Sequence, residues 1–353
     1  MSYMFPEAFD YSEVLIVPKS SQIDSRSKVN LLTSMKFRSA DSDKENEISW
    51  KGIPIVASNM DSTGTFEVYN VLSKHKMLTV LSKHYTKEDF LNAKDNGVKL
   101  NKEYFMVSSG ISDSDIKKLD DILSEVDVKW ICVDIANGYL DNLQSTCKYL
   151  SNKYKDKILV AGNVATPEII KPLKDSGVDV IKVGIGPGSA CSTRVKTGVG
   201  MPQLTAIMLC AEEAKKHDVK IMADGGITCP GDVSKALVGG ANFVMIGGEF
   251  AGHDETPGEI IEKDGKQYKE FYGMSSRKAM VKHEGKMEEY RTSEGRELHI
   301  PYRGKLDDTV LDYLGGIRST CTYINVANLS DMRADKSEVA LVRTRSQYNT
   351  HLL

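Results

Sequence analysis

The 353-residue sequence predicts an α/β protein built as one (β/α)8, or TIM, barrel, and three observations point to this fold. Eight apolar strand-like runs alternate with helix-like stretches, no change of composition divides the chain, and polar residues follow the predicted strands. The length suits one barrel of roughly 250 residues with insertions. A doubly wound sheet is the alternative, but the first predicted strand is not followed by the GxGxxG dinucleotide motif.

The predicted strands and helices alternate along the chain at the spacing of βα units. The strands are expected at 53–58, 77–81, 104–108, 130–135, 158–161, 178–183, 220–223 and 241–246. The helices are expected at 66–75, 87–96, 114–126, 140–155, 167–176 and 231–238, with another beginning after Pro202. The chain is therefore predicted to form a single domain, 1–353.

Composition and charge argue against several classes of protein. A net charge of -3 does not favour a general nucleic-acid or membrane surface. No apolar run reaches the ~18 residues of a membrane span, and residues 1–10 lack the features of a signal peptide. The six cysteines are scattered without a CxxC pair, which suits a reducing compartment. We expect a cytoplasmic enzyme.

A glycine-rich loop that ends in a cysteine follows the sixth predicted strand. The loop runs from Gly184 to Arg194 and contains Cys191. Glycines let backbone amides approach an anion closely, and a thiolate is a strong nucleophile near neutral pH. A buried structural cysteine beside an ordinary turn is the alternative. Because strand, loop, cysteine and helix follow in the order of an active-site βα loop, the sequence favours covalent chemistry on a phosphorylated molecule.

Two pairs of glycines follow the last two predicted strands, at Gly225-Gly226 and Gly247-Gly248. Barrels of this class commonly bind phosphate at this position, where backbone amides and a helix N-terminus hold the anion. Tight βα turns would explain either pair alone. Both pairs together, with Gly188 and Ser189 in the cysteine loop, favour a phosphate site.

An insertion at about 252–304 interrupts the barrel pattern after the eighth strand. Long loops inside compact domains are usually functional and often form lids, so we predict an active-site flap. Its charged residues 263–269 favour an irregular surface segment, whereas the small uncharged residues 273–276 favour an active-site wall. The C-terminal tail at about 335–353 receives no predicted role.

A family resemblance is carried by the strings GIGPGSACSTRVKTGVGMPQL, ADGGI, MIGGEF, FYGMSS, EYRTSEG and LGGIRSTCTY. Together they resemble the IMP dehydrogenase/GMP reductase family, from residue 10 to about 332. Dehydrogenases of this family usually carry regulatory CBS modules after the second strand, where this chain has only a helix-sized segment, 86–97. Those dehydrogenases activate water with an Arg-Tyr pair on the flap, and this dipeptide is absent from 252–304.

The resemblance therefore implies the reductase activity of the family, the NADPH-dependent conversion of GMP to IMP and ammonia in purine interconversion. Two alternatives stay open: a dehydrogenase that converts IMP to XMP with NAD, and a non-catalytic nucleotide-binding barrel. The resemblance also implies a homotetramer, and the net charge of -3 argues against nucleic acid or membranes as partners.

The resemblance assigns three catalytic residues. Cys191 would attack C2 of GMP and form a covalent thioimidate, while Thr193 and Glu294 would relay the proton that lets ammonia leave. The chemistry is reasonable because an amino group leaves only when it is protonated, and a carboxylate coupled to a hydroxyl can hold and deliver that proton. Without the resemblance, Glu294 would be interpreted as a solvated charge on the flap.

The resemblance also assigns three sets of binding residues. The GMP site would comprise Ser189, Asp224, Gly225, Gly226, Gly247, Gly248, Tyr272, Gly273, Met274, Ser275, Arg291, Ser293 and Gly295. The NADPH site would comprise Ser25, Arg26, Lys83, Asp134, Ile135, Ala136, Ile185, Gly186, Tyr290, Ser319, Thr320, Cys321 and Thr322, some of them from a neighbouring subunit. A potassium ion would bind backbone carbonyls of Gly186, Gly188, Cys191 and Arg194.

Overall fold

The computed structural model describes residues 7–38, 47–286 and 292–344. Three short strands precede the barrel: β1 (Val14–Ile16), β2 (Thr33–Phe37) and β3 (Ile48–Gly52). Strands β2 and β3 form an antiparallel hairpin in which Met35 pairs with Trp50. The residues that connect these two strands, 39–46, lie outside the described part of the chain.

Eight parallel strands then close into a barrel, and β11 pairs with β4 to complete it. They are β4 (Ile55–Ala57), β5 (Leu78–Leu81), β6 (Phe105–Ser109), β7 (Trp130–Asp134), β8 (Ile158–Val164), β9 (Val180–Val183), β10 (Lys220–Asp224) and β11 (Phe243–Ile246). Each coincides with one predicted strand, so the (β/α)8 prediction is confirmed.

Helices follow the barrel strands and cover their outer faces. They are α1 (Phe66–Leu72), α2 (Lys87–Asp95), α3 (Asp113–Leu123), α4 (Asp141–Lys153), α5 (Ile170–Asp175), α6 (Thr193–Thr197), α7 (Gln203–Lys215) and α8 (Pro230–Val238). Several begin at capping residues: Thr86 and Ser112 each accept a hydrogen bond from the backbone N–H three residues later. Such caps satisfy N–H groups that a helix start leaves unpaired.

The barrel interior is filled from its N-terminal end by aromatic side chains. Trp50 from the β2–β3 hairpin packs edge to face against Trp130, with ring centroids 5.7 Å apart, and also contacts Phe243. Trp130 and Phe243 are the first residues of β7 and β11, so the hairpin closes the N-terminal end. The opposite, C-terminal end is therefore the open one.

The insertion after β11 contains a three-stranded antiparallel sheet and a helix. Its elements are β12 (Ile261–Lys263), β13 (Lys266–Tyr272), α9 (Arg277–Glu284) and β14 (Glu297–Pro301). The expectation of an irregular segment at 263–269 is wrong, because Asp264 and Gly265 join β12 and β13 in a tight hairpin. Their φ angles of +52° and +71° fit the type I′ turn that Asp-Gly favours.

The last helices pack the C-terminal segment against the barrel. They are α10 (Leu306–Tyr323), which packs on α8 and α1, and α11 (Ala334–Ser337). The last strand of the described residues, β15 (Leu341–Arg343), pairs antiparallel with β1. Within the described ranges, no helix has the length and apolar character needed to cross a membrane.

Candidate active site

A cavity of about 760 Å³ opens at the C-terminal end of the barrel, between the strand ends and the insertion. Most residues that the sequence assigns to a site line it. From the catalytic and cation sets these are Cys191, Thr193, Glu294, Gly186 and Gly188. From the GMP set they are Ser189, Asp224, Gly225, Gly226, Gly247, Gly248, Gly273, Met274, Ser275 and Gly295. From the NADPH set they are Lys83, Asp134, Ile135, Ala136 and Ile185.

The three predicted catalytic side chains form a continuous chain of hydrogen bonds. The thiol of Cys191 donates to Oγ1 of Thr193 over 3.2 Å. The Thr193 hydroxyl in turn donates to Oε2 of Glu294 over 2.7 Å. A thiol proton therefore has a path through one hydroxyl to a carboxylate that can accept it.

Backbone contacts hold the flap segment around Glu294 against the cysteine loop. The Ser192 N–H donates to the Glu294 carbonyl over 2.7 Å, and the Arg296 N–H donates to the Ala190 carbonyl over 2.8 Å. Gly295 lies between these contacts and packs so closely that a Cβ atom there would lie 2.4 Å from the Ser276 nitrogen. The absence of a side chain at Gly295 lets Glu294 reach Thr193.

The side chain of Arg194 holds the cysteine loop in place through three hydrogen bonds. Its guanidinium donates to the Ile185 carbonyl over 3.2 Å and to Oδ2 of Asp10 over 3.3 Å. A further hydrogen bond runs to the carbonyl of Met201. The loop that carries Cys191 is thus fixed at both ends by one side chain, although that side chain does not line the cavity.

The glycine pairs lie where the sequence predicts a phosphate site. Gly225 and Gly226 have φ angles of +87° and +80°, which glycine adopts far more readily than other residues. A Cβ atom on Gly248 would lie 3.2 Å from the Ser189 hydroxyl, so the cysteine loop and the turn after β11 are in contact. The structure therefore brings the predicted phosphate-binding residues to one side of the cavity.

An ion pair supports this side of the cavity. Arg303 donates to the Gly248 carbonyl and to Oε1 of Glu249, each over 2.9 Å. Burial raises the pKa of Glu249, and the Arg303 charge partly offsets the effect. Glu249 lines the cavity, and sequence reasoning had not singled it out.

A layer of charged and amide side chains forms the floor of the cavity. Lys182 lies between two carboxylates, 2.6 Å from Oδ1 of Asp134 and 3.1 Å from Oδ2 of Asp224. Asn59 donates to Asp134 over 2.8 Å, and Asn163 donates to Asp224 over 2.7 Å. The sequence analysis placed both asparagines among the polar strand ends but assigned them no role, and it missed Lys182, whose signal was a single charge inside an apolar strand.

Electrostatics at the floor favour the charged state of the ion pairs. Burial alone would lower the pKa of Lys182, but Asp134 and Asp224 outweigh it and raise that pKa. Burial alone would raise the pKa of Asp134, but Lys182 and Asn59 outweigh it and lower that pKa. Cys132, one layer deeper, has its pKa raised to about 12 by burial and stays a neutral thiol.

A second polar cluster joins the flap to the loop after β4. Asp61 accepts hydrogen bonds of 2.8 Å from Tyr272, Lys282 and His283. Burial would raise the pKa of Asp61, but these three hydrogen bonds outweigh it and lower that pKa. The His283 ring stacks on His84, with centroids 3.4 Å apart. Sequence reasoning missed this cluster, because nothing in the chain pairs position 61 with position 283.

Several predicted site residues lie away from the cavity. Ser25 and Arg26 belong to a short turn on which α10 packs, and α10 carries Ser319, Thr320, Cys321 and Thr322. These two segments adjoin each other, but none of these described residues lines the cavity. Cys321 is fully buried.

Two further residues of the predicted GMP set, Tyr272 and Ser293, do not line the cavity, and two residues are not described. The Tyr272 hydroxyl is bonded to Asp61, and the Ser293 hydroxyl donates to the Gly295 carbonyl over 3.0 Å. Tyr290 and Arg291 lie outside the described residues, as does the tail beyond residue 344.

Comparison with known proteins gives a consistent result. The family model described as IMP dehydrogenase / GMP reductase domain matches residues 8–351. A Rattus norvegicus protein named GMP reductase 1 is 44% identical over 342 residues, which cover 97% of this chain and 96% of the rat protein. An Aliivibrio salmonicida protein named GMP reductase is 46% identical over 343 residues, covering 96% and 95%.

A Homo sapiens protein named GMP reductase 1 is 45% identical over 343 residues, which cover 97% of this chain and 96% of the human protein. The similarity therefore extends over the barrel, the flap and the cysteine loop together. This chain belongs to the IMP dehydrogenase/GMP reductase family.

Proposed function

We propose that the protein is an oxidoreductase that converts GMP to IMP and ammonia with NADPH, through a covalent intermediate on Cys191. The observation that carries the proposal is the hydrogen-bonded chain from Cys191 through Thr193 to Glu294, at the edge of a cavity lined by glycine turns. Relatives similar over nearly the whole chain are named GMP reductase, which supports the same reaction.

The hydrogen-bonded chain activates the nucleophile. When the Cys191 proton passes to Thr193, the Thr193 proton passes to Glu294, so the thiolate forms as the carboxylate becomes a carboxylic acid. The thiolate attacks C2 of the guanine base, and a bond forms between Sγ and C2. Protonated Glu294 then returns its proton through Thr193 to the exocyclic amino group, which leaves as ammonia.

The atoms balance through the rest of the reaction. The thiol proton becomes the third hydrogen of ammonia, so the covalent thioimidate forms without another acid. When bound, NADPH supplies the hydride that C2 receives. The C2–Sγ bond then breaks, IMP is released, and the Cys191 thiolate regains a proton from water.

The residues of the cavity fit a nucleotide and a dinucleotide cofactor. Its volume lies within the range of roughly 300–1,000 Å³ typical of ligand sites. Asp224 would accept ribose hydroxyls of GMP, and the glycine turns would hold its phosphate. The nicotinamide end of NADPH would be held by Lys83, Asp134, Ile135, Ala136, Ile185 and Gly186.

The adenosine end of NADPH has no assigned residue at the cavity of this chain. We propose that Ser25, Arg26, Ser319, Thr320 and Thr322 of a neighbouring subunit bind it in a homotetramer; Cys321, on the same helix, is too deeply buried to contact it. Arg26 carries a fixed positive charge suited to the extra phosphate of NADPH. The adjoining positions of the two segments support this assignment, because one ligand could contact both.

We propose that a potassium ion binds backbone carbonyls of the cysteine loop. Within the described residues, no hydrogen bond engages the carbonyl oxygens of Gly186 or Cys191. The Gly188 carbonyl accepts the Cys191 N–H, and the Arg194 carbonyl accepts the Gly198 N–H. Each of these two carbonyls keeps one lone pair, so four oxygens are available to a cation that would stabilise the loop.

The proposal is tested by following reduced nicotinamide absorbance with GMP plus NADPH and, in parallel, with IMP plus NAD. We expect NADPH to be consumed only with GMP, with IMP and ammonia formed in equal amounts, and Cys191→Ala to abolish the reaction. Formation of NADH from IMP would identify a dehydrogenase instead. Binding of GMP without turnover under either condition would indicate a non-catalytic nucleotide-binding protein.

A further inference from the structure

Lys182 is a charged side chain inside the barrel. It lies two residues beyond Val180 on β9, so both side chains point to the same, inner face of the strand. Val180 packs in the apolar interior, and Lys182 forms the next layer toward the cavity. Its exposed fraction is 1%. A buried ammonium is costly unless charged partners compensate for its lost hydration.

The partners of Lys182 come from two other strands at the same height. Asp134 lies two residues beyond Cys132 on β7, and Asp224 lies two residues beyond Met222 on β10. Both carboxylates are ion-paired to the single ammonium, at 2.6 Å and 3.1 Å. Asp134 and Asp224 line the cavity, but Lys182 does not. The lysine therefore joins two cavity-lining groups from beneath.

The hydrogen bonds leave one carboxylate oxygen available. Lys182 and Asn59 engage Oδ1 and Oδ2 of Asp134, and Lys182 and Asn163 both engage Oδ2 of Asp224. No described residue donates to Oδ1 of Asp224. An ionised carboxylate only accepts hydrogen bonds, so this free oxygen suits a hydroxyl donor of a ligand.

The net charge of the Asp134, Lys182 and Asp224 cluster also favours a ligand that donates hydrogen bonds. Two carboxylates and one ammonium leave one negative charge at the floor of the cavity. The neighbouring groups are the neutral thiol of Cys132 below and the ammonium of Lys83, which acts on Asp134. A cation shared between two carboxylates also makes them interdependent, because moving toward one weakens its contact with the other.

We propose that Lys182 is a positioning residue that couples the two halves of the active site through Asp134 and Asp224. Lys182 contacts neither substrate nor cofactor; it fixes the carboxylate that faces the ribose and the carboxylate that faces the nicotinamide end in one arrangement. This inference rests on the site assignments of the proposed function. A change at Asp134 is therefore transmitted to GMP, although Asp134 itself lies on the cofactor side.

The simpler interpretation is that Lys182 only stabilises the barrel as a buried ion pair. The two interpretations differ in ligand binding. A purely structural lysine would alter the unfolding temperature and leave the GMP affinity of the folded protein unchanged. A positioning lysine changes the affinity of folded protein and makes the effects of Asp134 and Lys182 substitutions non-additive.

The test measures GMP binding by isothermal titration calorimetry without cofactor, on the full chain. The variants are Lys182→Met, Asp134→Asn and the double variant, with circular dichroism to verify folding. The matched control is Arg38→Met, which removes the cation paired at 2.9 Å with buried Asp179, just before the opposite end of β9. This control should lower the unfolding temperature and leave the Kd for GMP unchanged.

We expect Lys182→Met to weaken GMP binding by about tenfold or more. Asp134→Asn should weaken it by about threefold or more, because the released ammonium then competes for Asp224, and should add nothing in the Lys182→Met background. Unchanged GMP affinity in folded Lys182→Met overturns the inference. If that variant does not fold, Asp134→Asn decides alone, and an unchanged Kd there also overturns it.

The outcomes separate this inference from the proposed function. If wild-type protein binds GMP but does not oxidise NADPH, while Lys182→Met weakens binding, the reaction assignment fails and the coupling stands. If wild-type protein turns over and both variants bind GMP normally, the coupling fails and the reaction assignment stands. Failure of wild-type protein to bind GMP overturns both.

Discussion

The Thr193 hydroxyl donates a 2.7 Å hydrogen bond to the carboxylate of Glu294, which lies 101 positions further along the chain. Thr193 opens α6 in the cysteine loop, and Glu294 belongs to the insertion. The contact exists because backbone hydrogen bonds attach the insertion to the cysteine loop on both sides of it. The nucleophile and its proton acceptor are therefore assembled only when the flap segment packs on the barrel.

Thr193→Val should interrupt the path between the thiol and the carboxylate. We expect kcat for GMP to fall by roughly 10²–10⁴-fold, the usual contribution of positioned proton transfer, with little change in the Kd for GMP. Thr197→Val, at the exposed end of the same short helix, is the matched control and should retain activity. A Thr193→Val protein with wild-type kcat would remove the hydroxyl from the mechanism.

Gly295→Ala should separate the flap from the cysteine loop. Its Cβ atom would lie 2.4 Å from the Ser276 nitrogen and 2.8 Å from the Ser276 Cα, so the backbone has to shift. We expect kcat to fall at least about tenfold, because misplacement of about 1 Å near the chemistry can cost about 10²-fold. Gly315→Ala, with no atom outside its own stretch of helix within 4 Å of its Cβ position, should keep activity and be as stable or more so. Equal kinetics for the two variants would contradict this reasoning.

His84 should make stability depend on pH. Burial, then the neighbouring His283 and Lys83, lower the pKa of His84 from 6.5 to about 4. Between pH 6.5 and about pH 4, His84 binds a proton in the unfolded chain but not in the folded protein. The free energy of unfolding therefore decreases as the pH falls through this range. The Asp61 carboxylate acts in the opposite direction and raises the pKa of His84, because its negative charge favours the protonated ring, but burial and the neighbouring cations outweigh it.

We expect the unfolding temperature to decrease over that pH range, and His84→Gln to flatten the decrease. The measurement is a series of thermal unfolding curves by circular dichroism. His299→Gln, at an exposed position of β14, is the control and should keep the wild-type slope. If His84→Gln and wild-type protein show the same slope, another group causes the pH dependence.

Asp61 should help to hold α9 against the barrel. Its pKa is lowered in the folded protein, so its contribution to stability is present above its ordinary pKa and is lost as the pH falls through the lowered value. Asp61→Asn should speed amide hydrogen exchange in α9 at neutral pH. Exchange in α3, on another side of the barrel, serves as the internal reference. Unchanged exchange in α9 would show that other contacts hold the flap.

The barrel could be predicted because its strands are short apolar runs at regular spacing, as in 130–135 and 178–183. The cysteine loop could also be predicted, because its signal is local: Cys191 and Thr193 are two residues apart. Glu294 came from the family resemblance alone, because its contact with Thr193 depends on how the insertion packs. Such long-range pairing has no signal in a single sequence.

Two features had signals that the sequence analysis did not use. Asp264-Gly265 is the strongest short hairpin signal, yet the surrounding charges suggested an irregular segment. Lys182 interrupts an apolar strand, and its alternation with Val180 places it inside the barrel. The role of Lys182 depends on the two carboxylates that β7 and β10 bring to the same layer, and this contact is not visible in the sequence.

Peptide mass spectrometry after acid quench, on protein turning over GMP and NADPH, tests the covalent mechanism most directly. We expect the peptide containing Cys191 to carry the mass of GMP less ammonia, and Cys191→Ala protein neither to carry this adduct nor to form IMP. An unmodified Cys191 peptide, together with IMP formation by Cys191→Ala at the wild-type rate, would contradict it.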